Sequence, residues 1–137
     1  MKKSAIYAIS CLVALLFLSV SLTQAQTAKP WQIPDKYNSM KSTVKAGDAT
    51  ALATGKDLWA KQCKSCHGSK GLGDGPKAAM LKTSPGDFST PSFQKQTDGV
   101  LYYKSYIGRD EMPNFEKKVT SEADRWAIIA FIRTMGK

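Results

Sequence analysis

Cys63-Lys64-Ser65-Cys66-His67 gathers nearly all the soft binding chemistry of this chain into one turn. The only other cysteine is Cys11, close to the N-terminus, and His67 is the only histidine. Two thiols and an imidazole at this spacing serve as a redox switch, as part of a metal cage, or as anchors for a cofactor. Each use demands different company elsewhere in the chain.

The N-terminus reads as a secretory signal. Lys2 and Lys3 give a basic start, Ala5 to Val20 an almost unbroken apolar run, and Thr23-Gln24-Ala25 a small-residue cleavage site after Ala25. The run is shorter than the roughly 20 residues that span a bilayer, and polar Thr23, Gln24 and Gln26 follow it. Left uncleaved, it would be a membrane anchor. Cleavage removes Cys11, two lysines and no acids, so formal charge falls from +9 to about +7. The expected organisation is a signal peptide at 1–25, a polar arm at 26–48 and one domain at 49–137. The expected location is the periplasm or another exported compartment. The basic balance suits acidic protein partners or an anionic surface. An exported chain without a nucleic-acid motif is not expected to bind nucleic acid.

The domain reads as all-α, because no alternating strand pattern of any length occurs. Asp48 or Thr50 can cap a first helix on which Leu52, Leu58 and Trp59 recur towards Cys63. Gly55 lies inside it, at a cost of about 1 kcal/mol against alanine, and suits close approach by another helix. Gly68, Gly71, Gly73 and Gly75 mark a loop, with Pro76 placed to begin a short helix through Leu81. Thr83-Ser84-Pro85-Gly86 breaks that helix. Asp98 is placed to cap a helix bearing Val100, Leu101, Tyr103 and Ile107, which Gly108 stops. Ser121 and Asp124 have capping-box spacing ahead of the apolar run Trp126–Ile132, which must be covered on most sides. The arm reads as irregular, with Trp31, Ile33, Tyr37 and Met40 able to pin it down. So small a domain has a thin core and benefits from a staple, which a large covalently held cofactor would supply.

The missing residues sort the chemistry. A zinc cage or an iron–sulfur cluster needs four ligands, and none remains beyond Cys63, Cys66 and His67. A thioredoxin-like dithiol sits between a strand and a helix, whereas this pair ends a helix and enters a glycine loop. A c-type haem needs only what is present: two thiols to form thioethers with the vinyl groups and an adjoining histidine for the iron.

At these residues the chain resembles class I c-type cytochromes. The resemblance runs through Gly55-Lys56-Asp57-Leu58-Trp59, Cys63 to Gly68, Gly73-Asp74-Gly75-Pro76, Gly108, Met112-Pro113, Trp126 and Ala130-Phe131-Ile132-Arg133. It covers about residues 50–137 and leaves out the arm. It implies a small cytochrome c fold, with first and last helices crossing near Gly55 and Phe131 and shorter helices around one covalent haem c. Cys63 and Cys66 would hold the haem, and His67 would be an axial ligand to iron. The family's carbonyl partner for that histidine falls on Pro76. Arg109, Trp126 and Tyr102 are candidates to bond the haem propionates.

The sixth iron ligand is expected from a methionine. Met135 lies in the last helical turn, Met80 reads as core, and Met40 belongs to the arm. Met112 lies in a loop, Pro113 favours extended backbone before it, and the family's Met-Pro pair falls on these two residues. Asn114 is a candidate donor to its sulfur. The expected function is one-electron transfer by an exported, monomeric carrier, with no catalytic constellation. Lys61, Lys64, Lys70 and Lys77 are candidates to steer an acidic redox partner. The alternatives are a dedicated subunit of a larger redox complex, through which it would meet a membrane, and a haem enzyme or gas sensor with an open sixth position.

Overall fold

The computed structural model describes residues 29–136. The expected signal peptide and the start of the arm lie outside them. Among the described residues the chain is helical and has no strand, in agreement with the all-α expectation. The elements are α1 (Asp35–Asn38), α2 (Ala49–Gln62), α3 (Lys64–His67), a 3₁₀ turn (Ala78–Met80), α4 (Pro91–Gln94), α5 (Asp98–Tyr106) and α6 (Glu122–Arg133).

Local capping sets most of these boundaries. The Asp48 carboxylate accepts the Ala51 N–H at 3.0 Å and starts α2, and Ser121 Oγ accepts the Asp124 N–H at 3.3 Å and starts α6. The cap of α5 is Thr97, not Asp98, because Thr97 Oγ1 accepts the Val100 N–H. Asp98 becomes the first helical residue and pairs at 2.6 Å with Arg133 of α6. The expected helix from Pro76 shrinks to the 3₁₀ turn, whose cap is Lys77. The arm is not wholly irregular, since α1 occupies it.

Helices α2 and α6 make the most extensive contact in the fold. They cross at Gly55, where an added Cβ would lie 2.1 Å from the Ala127 carbonyl oxygen and 2.9 Å from Phe131 Cβ. Helix α6 buries Trp126, Ala127, Ile128, Ile129 and Ile132. Each large apolar side chain so buried contributes about 1.5–3 kcal/mol. Glycine at 55 is therefore a packing requirement, and its low helix propensity is offset by the crossing. Gly55→Ala should lower the unfolding free energy by at least about 2 kcal/mol, read as a shift in denaturant midpoint. An unchanged midpoint would show that the helices do not meet this closely.

Tyr37 stacks on Tyr102 and packs against Tyr103, and Trp31 meets Tyr103 edge-on. These contacts lay the arm along α5. Among the described residues, no helix is long and apolar enough to cross a membrane.

Candidate cofactor site

One helical turn builds the core of the site. The amide of Cys63 closes α2 on the Trp59 carbonyl at 2.9 Å, while its own carbonyl accepts from Cys66 N at 3.2 Å and His67 N at 3.0 Å. Trp59 Nε1 donates to the Gly68 carbonyl at 3.0 Å, fixing the end of that turn to α2. Cys63, Cys66 and His67 thereby line one cavity of about 590 Å³. That volume lies within the roughly 300–1,000 Å³ of sites for organic ligands and cofactors.

Cys63 and Cys66 are not joined to each other in a disulfide. Burial, with Cys66 second, pushes the Cys63 thiol up to about 12. It is protonated at neutral pH, unlike the thiolate of a redox switch. Among the described residues no cluster of three or more His, Cys, Asp or Glu side chains could hold a metal ion. The His67 ring is buried against Phe88, with ring centroids 4.7 Å apart, and against Trp59 at 5.8 Å. Burial lowers its pKa to about 4, opposed by the Pro85 carbonyl, so the imidazole is neutral at pH 7. A neutral imidazole is the form that ligates iron. Its buried Nδ1 has no well-formed hydrogen bond. Two cysteines, a neutral histidine and an apolar-walled cavity together fit a covalent haem.

Met112 lines the same cavity. A two-residue turn presents it: Arg109 N donates to the Met112 carbonyl and Met112 N to the Arg109 carbonyl, both at 2.8 Å. Asp110 takes φ 49° within that turn. Gly108, at φ 68°, lies beneath it, and an added Cβ would come within 2.4 Å of the Met112 and Pro113 carbonyl oxygens. A glycine there lets α5 end and the turn fold back at once.

Other expected participants separate. Arg109 lines the cavity, but its guanidinium donates to the Pro30 carbonyl at 2.8 Å and to the Lys29 carbonyl, and lies 4.2 Å over Trp31. Trp126 is in the core at 1% exposure, with Nε1 towards Glu122, and does not line the cavity. The Tyr102 hydroxyl accepts from Arg125 at 3.0 Å. Pro76 is exposed and does not line the cavity, whereas Pro85 does. Asn114 donates to Glu116 at 2.8 Å, not to Met112. Met80 is 81% exposed, so it is not core. Lys61 and Lys77 line the cavity, whereas Lys64 and Lys70 are exposed elsewhere.

Sequence reasoning missed Trp31, Phe88 and Lys104, which also line the cavity. Burial and then neighbouring Arg109 lower the proton affinity of Lys104. The aromatic residues carried no distinguishing spacing, and Lys104 read as one of many lysines. A protein-family model described as cytochrome C oxidase, cbb3-type, subunit III matches residues 50–132. No curated protein matches the chain.

Proposed function

Because the chain belongs to the cytochrome c oxidase cbb3-type subunit III family, a class I c-type cytochrome domain that binds haem c covalently, we propose that it carries single electrons with His67 and Met112 as axial ligands. The observation that carries this reading is the lining of one cavity by Cys63, Cys66, His67 and Met112. Haem c, when bound, supplies a one-electron ferric–ferrous couple.

The protein's part is positioning. Cys63 and Cys66 hold the cofactor covalently, so it stays in place through repeated turnover. Trp59 and Phe88 restrict the His67 ring, and its low proton affinity keeps Nε2 available to iron. Phe93, Leu101, Phe115 and Ile132 line the cavity with apolar surface. Met112 offers a soft thioether, which favours the ferrous state and raises the potential. Lys61, Lys77, Lys104 and Arg109 place positive charge around the cavity, suited to cofactor carboxylates and an acidic partner. Residues 1–25 as a secretory signal, periplasmic location and a monomeric state complete this reading.

The test is the ferric spectrum followed from pH 7 to 4.5. Met112 ligation predicts a low-spin spectrum with a weak long-wavelength sulfur-to-iron band. Burial lowers the proton affinity of His67 below that of free histidine, and a ligating nitrogen must leave the iron before it can take a proton. Protons should therefore not displace His67 over this range, and the spectrum should hold. A high-spin spectrum with ready CO binding would overturn the carrier reading in favour of an open sixth position. The description of the matched family as an oxidase subunit favours a second reading, a dedicated subunit of a redox complex. Co-purification with one fixed partner through chromatography would select it over a free shuttle.

A further inference from the structure

The Glu111 side chain makes a contact that neither covalent attachment nor axial ligation accounts for. Its Oε1 accepts the Lys82 N–H at 3.0 Å, and its Oε2 accepts the N–H groups of Lys82 at 2.9 Å and Thr83 at 3.0 Å. The carboxylate thus grips two successive backbone amides from 28 and 29 residues away in sequence. Bonds to an ionised acceptor are shorter and stronger than neutral ones.

Both ends of this grip lead to the iron site. Glu111 is the second central residue of the turn that presents Met112, closed on both sides by the Arg109–Met112 backbone pair. Lys82 and Thr83 begin the segment that runs to Pro85. Leu81, Thr83, Ser84 and Pro85 line the cavity together with His67. Among the described residues, no other hydrogen bond joins residues 81–85 to residues 107–115. Among the described residues, the amides of Lys82 and Thr83 have no other acceptor.

We infer that Glu111 is a positioning residue that holds the Met112 turn against residues 82–85, so that one carboxylate fixes the turn bearing the sixth ligand against the cavity wall. The inference rests on Met112 being the sixth ligand. A thioether has no charge to draw it to iron, so the turn that bears it must be fixed from elsewhere. Arg109 ties that turn to the arm through Lys29 and Pro30, and Glu111 ties it to the wall of the cavity. Loss of the carboxylate frees the turn on the cavity side. Met112 then yields more readily to an external ligand, while the cysteines and His67 remain in place.

The experiment uses the haem-loaded protein in four forms: wild type, Glu111→Gln, Glu111→Ala and Glu116→Gln. Glu116 is a second exposed carboxylate close to Met112 in sequence, and its substitution removes the same charge. Imidazole is titrated into each ferric protein, with the sulfur-to-iron band as readout of bound Met112 and the denaturant midpoint recorded in parallel. Glu111→Ala should raise imidazole affinity about tenfold or more, the change expected from losing a hydrogen bond to a charged group. Glu111→Gln keeps one carbonyl acceptor and should fall between it and wild type. Glu116→Gln should bind imidazole as wild type does. Imidazole affinity within twofold of wild type in both Glu111 variants would overturn the inference, even with a lowered midpoint. An equal rise in Glu116→Gln would overturn it too, by reducing the effect to charge. If Glu111→Ala does not accumulate with haem, the Gln variant decides by the same criterion. A wild type without the sulfur band would instead overturn ligation by Met112.

Discussion

Cys63→Ala with Cys66→Ala should yield a chain with no haem stain after denaturing electrophoresis, even from a host that matures c-type haem. Wild-type protein from the same host should give a stained band at the chain's own mass. Both thiols sit on one helical turn and line the cavity, and there is no other thiol in the domain to substitute for them. Either single variant should retain some stain through its remaining cysteine. The second consequence is structural. The domain is small, and an empty cavity of about 590 Å³ beside Trp59, Phe88 and Ile132 would strip contacts from the core. Cavities cost about 24 cal/mol per Å³ when their walls cannot collapse, which for this volume comes to about 14 kcal/mol, near the top of the 5–15 kcal/mol total stability of an ordinary domain. The double variant should therefore lose most of its helical circular dichroism, unless the walls collapse onto one another. A fully stained band in the double variant would sink covalent attachment at these residues.

The sequence disclosed features whose chemistry is local or exclusive. Cys63, Cys66 and His67 were legible because no other cysteine or histidine in the domain could compete for the role. Gly55 was legible because a glycine inside a helix has a cost that only close packing offsets, and the contact with Ala127 and Phe131 supplies that packing. Asp48 and Ser121 were legible because a cap acts over three residues. Features set by distant partners were not. Asp98 looked like a cap, yet its carboxylate meets Arg133, 35 residues away, and adjacent Thr97 takes the cap. Four prolines follow the motif, and the family resemblance put the carbonyl partner of His67 at Pro76. Only the path of the chain brings Pro85, and not Pro76, to the cavity that His67 lines. Trp31 in the arm and Trp59 in α2 line the cavity, whereas Trp126 supports the core. Nothing in composition ranks these three tryptophans against one another. Glu111 had no role legible in the sequence, because its acceptor role depends on amides at Lys82 and Thr83 that no sequence pattern marks.

Met112→Ala should produce the largest change that leaves the haem attached. The stain on denaturing gels should match wild type, because Cys63 and Cys66 are untouched. The ferric protein should lose the sulfur-to-iron band, and the ferrous protein should bind CO readily. Its reduction potential should fall by at least about 0.1 V, well within the roughly 0.8 V over which axial ligands set haem potentials. The direction follows from softness: thioether sulfur favours ferrous iron, and its loss leaves water or a harder donor in its place. The remaining described methionines do not provide a replacement. Met40 and Met135 pack against the core cluster, and Met80 is exposed and does not line the cavity. Lys104 does line the cavity, so a second donor is at hand. Capture of the iron by Lys104 would give a low-spin spectrum without the sulfur band, and adding Lys104→Met to the Met112→Ala variant would remove that state. If Met112→Ala retains the sulfur band and its potential, Met112 is not the sixth ligand. If it loses both while binding no CO, the open position has been filled from within the chain, and the double variant identifies Lys104 as the donor.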